Sequence, residues 1–441
     1  MDDDRNLDYN LELETELSKP NKWPKVAKIL LGIFIVIIIL SIAGILTVYF
    51  IYNNKLKESS SGKSNPDINP NPEPTPTPPM PNVDTYIFFG EKLSNLAYDV
   101  NGKIENSFKA TGDNYEPDIG DLNGGEDYNK TDRNIYDLYI PQYALDRKKE
   151  VNGILLWIHG GAWIEGNKEQ LDIMCKLFSA QGYISATVGY TLLGDKYQYN
   201  NIYRIIDEIT ACIKAIKNKL KDYGFDESKL LLSIGGHSAG AHLALLYSYL
   251  VKNFDIIPIK FVMDFAGPIG LKKEYFYQLK SVNDTLPNIE DVSVIEEALK
   301  NGQIVSSLNE LNILLLMNYF YGNKFTQKEL NLMLLDNKTI NIENEKYKEM
   351  YKFVKHAYVT EIEDKHHLPT ICMYGGEDTL LGVSSFAYLK QKMIQDNRPY
   401  DFIYTRYEGH SLIITDKEAG KEKTRETSSK IMNYCRTYFG Y

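Results

Sequence analysis

The run Ile29 to Ile51 is almost wholly apolar and carries no charge. As a helix rising about 1.5 Å per residue it reaches about 34 Å, enough to cross a hydrocarbon core. The pattern therefore predicts a transmembrane helix over residues 29–52. Residues 1–28 are polar and mixed in charge and read as a cytoplasmic tail. Lysines flank the span on both sides, closely before it and at Lys55, Lys57 and Lys63 after it, so the bias towards a cytoplasmic N-terminus is slight. Residues 53–82 form a linker whose prolines, from Pro66 to Pro81, preclude helix and favour extended polyproline II. A spacer of that kind would hold a globular domain, residues 83–441, away from a bilayer.

Within that domain apolar runs alternate with helical periods. A short strand is expected at Tyr86 to Phe89, and 111–130 reads as a Gly/Asp/Asn-rich loop. Ile135 to Ile140 alternates as an antiparallel strand and stops at Pro141. Continuous apolar runs at Ile154 to Ile158, Tyr183 to Val188, Leu230 to Ile234 and Ile259 to Phe265 read as buried parallel strands. Between them, Ile202, Ile205, Ile206, Ile209, Ile213, Ile216 and Leu220 keep the spacing of an amphipathic helix over 201–221, with Gly224 just past its end. Strand–helix alternation of this kind predicts an α/β fold with a mostly parallel sheet covered by helices on both faces. The alternation breaks over 271–365, which is too long for one crossover and reads as an inserted helical cap. It resumes with a strand at Thr370 to Tyr374, a helix near 383–396, a strand at Asp401 to Tyr404 and a helix near 417–438.

Composition changes this picture little. A net charge of −10, with no basic stripe, argues against nucleic acid as a partner. The 4 cysteines, Cys175, Cys212, Cys372 and Cys435, are too far apart for a zinc or redox motif and read as buried free thiols. No metal or cofactor is expected, and the sequence leaves the oligomeric state open.

The candidate chemistry centres on Gly236-His237-Ser238-Ala239-Gly240, which lies between an apolar strand and an apolar helix-former run. This is the context of a nucleophile elbow, a turn so sharp that the residues two before and two after the serine must be small. Serine needs a base in contact and the base needs an orienting acid. In chain order after Ser238, Asp378 follows the strand at 370–374 and His410 follows the strand at 401–404. Asp264, inside a strand, is the alternative acid. Among the other histidines, His356, His366 and His367 read as surface residues, and His237 and His242 are badly placed to face Ser238. The loop His159-Gly160-Gly161-Ala162-Trp163 supplies small residues whose backbone N–H groups can approach an oxyanion. Gly161, Ala162 and Ala239 are the expected donors. His159 is expected to brace this loop, and Trp163 and His237 to shape the substrate pocket.

With Gly166 and Lys168 after the first loop, Ala241-His242-Leu243-Ala244 after the elbow, Gly375-x-x-Asp378 and Gly409-His410, the chain resembles the α/β-hydrolase carboxylesterases of the hormone-sensitive-lipase-like and feruloyl/acyl-esterase groups. The likeness runs from about residue 130 to 438. It implies an eight-stranded sheet and a serine esterase without a cofactor, with Ser238, Asp378 and His410 as triad. Two departures stand out: Ala162 where the lipase-like members have a third glycine, and the insert at 271–365. The expectation is a membrane-anchored serine hydrolase, its α/β-hydrolase catalytic domain (83–441) outside the cell, acting on a small-molecule or saccharide-linked ester. A peptidase or amidase with the same triad, and a non-catalytic adhesion module, are the alternatives.

Overall fold

A computed structural model describes residues 88–100, 131–197, 200–251, 256–280, 291–405, 408–411 and 417–440. The expected membrane span at 29–52, the linker at 53–82 and the loop at 111–130 lie outside the described residues. Among those described, no helix is long and apolar enough to cross a membrane.

The chain runs β1 (Gly90–Ala97), β2 (Ile135–Pro141), α1 (Gln142–Asp146), β3 (Asn152–Ile158), α2 (Asp172–Ser179), β4 (Ile184–Val188), α3 (Ile202–Asp222), β5 (Leu230–His237), α4 (Ala239–Leu250) and β6 (Ile259–Phe265). After the insert come β9 (Thr370–Gly375), α9 (Gly382–Gln395), β10 (Tyr400–Thr405) and α10 (Lys417–Phe439). Eight strands form one sheet in the order β1-β2-β4-β3-β5-β6-β9-β10. Only the pairings of β2, with β1 and with β4, are antiparallel; the rest are parallel. The fold is that of an α/β hydrolase.

Side chains of β3 alternate between two apolar layers, as strand geometry requires. Ile154, Leu156 and Ile158 enter the layer built with α3, α4 and α9. Leu155 and Trp157 enter the other, closed by Phe178 of α2 and by Ile431, Cys435 and Phe439 of α10. Gly153 is obligatory here, because the Phe439 ring occupies the space a Cβ would take. Each fully buried isoleucine of α3 contributes about 2 kcal/mol relative to exposure. Asn201 caps the start of α3 by accepting from the Tyr203 and Arg204 N–H groups at 3.0 and 3.1 Å. Its end closes as a Schellman motif: Gly224 (φ +84°) donates to Lys221 O and Phe225 to Leu220 O.

Three expectations need correction. Phe88 and Phe89 are not strand; the first described strand starts at Gly90 and is mostly exposed. The insert is mainly helical, with α5 (Val292–Lys300), α6 (Glu310–Phe320), α7 (Gln327–Leu332) and α8 (Glu345–Val354), but it also holds a two-stranded antiparallel sheet of β7 (Tyr277–Leu279) and β8 (Ile304–Ser306). His356 and His366 are half-buried; only His367 is exposed. All four cysteines are free and buried.

Candidate active site

Because β3, β5, β9 and β10 run parallel, the loops that follow them leave the same edge of the sheet. They carry the His159 loop, Ser238, Asp378 and His410 respectively. Ser238 sits between β5 and α4 at φ +55°, ψ −124°. That is a costly conformation for a residue with a side chain. Its N–H donates to Phe265 O at 2.8 Å and its carbonyl accepts from His242 at 3.1 Å, which pins the turn on both sides. A Cβ on Gly236 would come within 2.5 Å of the Ile158 carbonyl oxygen and the Gly240 backbone, and one on Gly240 would run into Ile158 O. The small neighbours expected from the sequence are thus a steric necessity.

His410 Nε2 lies 2.8 Å from Ser238 Oγ, and His410 Nδ1 lies 2.8 Å from Asp378 Oδ2. The other Asp378 oxygen accepts from the Leu380 and Leu381 N–H groups at 2.8 and 3.0 Å. Burial alone would raise this carboxyl. The facing imidazole and the two N–H groups outweigh burial and hold it below the ordinary carboxylate value. An ionised Asp378 fixes the tautomer: Nδ1–H donates to the carboxylate and Nε2 is left to accept from the serine hydroxyl. Asp264 takes no part in this chain of bonds. It accepts from the Tyr374 hydroxyl at 2.7 Å and from Gly267 N–H at 2.9 Å, and burial pushes its carboxyl up to about 7.

The His159 loop folds directly against the serine. A Cβ on Gly160 would stand 3.1 Å from Ser238 Cβ. Gly161 (φ +115°), Ala162 (φ +48°) and Trp163 (φ +64°) all have positive φ, so the departure to alanine at 162 places a methyl group in a left-handed conformation. Among the described residues, neither Gly161 nor Ala162 donates its N–H to a backbone carbonyl. Ala239, the first residue of α4, also presents an N–H at the helix start. These are the three groups expected as oxyanion donors.

The two expected pocket residues are engaged within the protein. Trp163 is packed edge-on between His242 (5.3 Å between ring centroids) and Phe320 of the insert (4.8 Å). His237 donates Nε2–H to the His410 carbonyl at 2.7 Å; burial, then the nearby His410, lower its pKa to about 4, so it is neutral. His242 donates Nε2–H to Ala357 O at 2.8 Å, which ties the insert to the elbow helix.

His159 braces the loop as expected, through Nδ1 and the Gly160 carbonyl at 2.8 Å. Its partners were not legible. Arg133 contacts His159 Nε2 at 3.2 Å and Gly166 O at 2.6 Å, and Tyr190 stacks on the imidazole at 4.2 Å. Neither residue belongs to a sequence motif; only the turn before β2 and the loop after β4 bring them here.

The BD-FAE family matches residues 136–393, more than half of the chain. The chain belongs to the BD-FAE family. It is accordingly an α/β hydrolase of the carboxylesterase type. One relative of this BD-FAE chain is a protein described as a probable isoprenylcysteine alpha-carbonyl methylesterase from Oryza sativa subsp. japonica, 30% identical over 117 residues. That alignment covers 26% of each protein, so the chain spans about a quarter of that curated relative's length. Among solved structures, esterase B from Lactobacillus rhamnosis is similar at 13% identity and a TM-score of 0.41, over 90% of this chain and 98% of that one. A truncated carbohydrate esterase from gut microbiota is similar at 12% identity and a TM-score of 0.46, over 78% of this chain and 96% of that one.

Proposed function

We propose that this BD-FAE protein hydrolyses carboxylic esters through an acyl-enzyme on Ser238. The observation that carries the reading is the unbroken chain Ser238–His410–Asp378, with 2.8 Å at both links. His410 Nε2 takes the hydroxyl proton as Ser238 Oγ attacks the ester carbonyl carbon. Asp378 holds the imidazole and balances the positive charge it gains. The N–H groups of Gly161, Ala162 and Ala239 bind the oxyanion of the tetrahedral intermediate. The ester C–O bond then breaks, and the alcohol leaves with the proton from His410. Water, deprotonated by the same nitrogen, releases the acid and frees Ser238.

The substrate class is a small-molecule or saccharide-linked ester. The uncharged run Ile29 to Ile51 and the proline-dense linker after it support a single-pass anchor, with the tail at 1–28 cytoplasmic and the catalytic domain outside the cell. The deciding experiment is p-nitrophenyl acetate turnover by the wild type and by Ser238→Ala. Loss of turnover and of fluorophosphonate labelling in the variant is expected. Turnover retained in a folded Ser238→Ala variant rejects the assignment.

A further inference from the structure

The oxyanion donors are useful only if their peptide planes face the serine. Gly160 and Gly161 share one such plane. In a trans peptide the carbonyl and the following N–H point in opposite directions. The Gly160 carbonyl is held at 2.8 Å by His159 Nδ1. Whatever fixes that bond therefore fixes the direction of the Gly161 N–H. The bond requires a proton on Nδ1, because a carbonyl oxygen can only accept. A neutral imidazole carries one ring proton, so Nε2 must then be an acceptor.

Arg133 meets that requirement. Its Nη2 stands 3.2 Å from His159 Nε2 and can only donate. With the proton on Nε2 instead, two donors would face each other at one end of the ring and two acceptors at the other. Arg133 also grips the far end of the loop, donating to Gly166 O at 2.6 Å, and it donates Nε–H to Tyr190 O at 3.3 Å. Tyr190 stacks on the imidazole at 9° between planes and donates its hydroxyl to His159 O, which stops ring rotation. His159 is fully buried; burial, together with the Arg133 charge, lowers its pKa to about 3, so the neutral form is the one present.

We propose that Arg133 is a positioning residue: it selects the Nδ1–H tautomer of His159 and thereby aims the Gly161 N–H at the reacting carbonyl oxygen. The proposal rests on the esterase reading of the same site. It concerns kcat, since the donor it aims is used as charge develops in the transition state.

The test uses the full chain and three proteins: wild type, Arg133→Met and Arg133→Lys. Histidine ¹⁵N spectra report which His159 nitrogen is protonated, and p-nitrophenyl acetate kinetics separate kcat from KM. The wild type is expected to show Nδ1–H. Arg133→Met should lose about 10²-fold in kcat, the order seen for losing one oxyanion donor, with KM nearly unchanged and the tautomer shifted towards Nε2–H. Arg133→Lys, which keeps a cationic donor without the planar fork, should recover part of the loss. An Nε2–H tautomer in the wild type overturns the proposal, and so does a folded Arg133→Met that keeps both turnover and tautomer. If Arg133→Met does not fold, the wild-type tautomer decides. Turnover retained in Ser238→Ala would sink the esterase reading instead, and the tautomer measurement keeps the two failures apart.

Discussion

His237 donates its Nε2–H to the backbone carbonyl of His410 at 2.7 Å, so the residue just before the elbow serine holds the loop that presents the imidazole. The two rings lie 5.1 Å apart. Replacing His237 with Phe keeps the ring volume but leaves the half-buried His410 carbonyl without this donor, a loss of about 1 kcal/mol. The His410 loop is then free to drift from Ser238, and kcat for p-nitrophenyl acetate should fall about tenfold or more. His237→Gln, which can still donate, should retain most of the rate. Equal rates for Phe and Gln would show that the bond does not hold the loop.

How far the site could be read from the sequence follows from what made each part regular. Ser238, Asp378 and His410 were legible because each follows a strand of the sheet, buried at β5 and β9 and half-exposed at the edge strand β10, and parallel strands bring such ends to one edge. The glycines at 236 and 240 were legible because sterics leave no choice there. Strand β1 was not. Its side chains are mostly exposed, and a bulge between Leu93 and Leu96, with Asn95 at φ +55°, breaks the alternation a strand needs. Strands β7 and β8 are three residues each, too short for any period. Arg133 lies in a turn and reaches His159 only in three dimensions. Trp163 and His237 were given a pocket role from their position in the motif, but what their rings touch depends on Phe320 and His410, which lie far along the chain.

Gly240 in the Ser238 turn and Gly409 in the His410 loop differ sharply in the space around them, and alanine substitution should report it. Gly240→Ala drives a methyl group into the Ile158 carbonyl under the elbow. Backbone on both sides has to shift, and a loss of about 3 kcal/mol or more is expected. At Gly409 the nearest atom to a new Cβ is Glu377 O at 3.8 Å, ordinary contact. Gly409→Ala should unfold within about 0.5 kcal/mol of the wild type. Urea unfolding of both variants checks this; comparable losses would show that the elbow has room that the structure denies it.

The proposed anchor makes its own prediction. If Ile29 to Ile51 spans the membrane with the domain outside, protease added to intact cells should cut the linker at 53–82 and release esterase activity into the medium. The linker's polar residues and lack of apolar runs make it the expected point of cleavage. Activity that stays with the cells and resists protease until they are lysed would reverse the orientation.

Stability should fall with mild acid, and the buried histidines set the sign. His159 is lowered to about 3, and His237 and His242 to about 4, in each case first by burial. Below the unfolded value of about 6.5 the unfolded chain binds protons that the folded chain refuses, so stability declines as pH falls from 7 towards 4. By pH 5 each histidine contributes a loss of about 2 kcal/mol. Asp264 opposes them. Its folded value, about 7, lies above its unfolded one, so the folded chain gains its proton first and is stabilised by about 2 kcal/mol over the same interval. Three groups outweigh one, and the net expectation is a lower urea midpoint at pH 5 than at pH 7. His242→Phe removes one of the three while keeping a ring against Trp163 and Phe320, and should flatten the dependence by about a third of the histidine part. A midpoint that rises between pH 7 and pH 5 would mean that the histidines take up protons in the folded state, and the neutral His237 donor that holds the His410 loop would have to be abandoned with them.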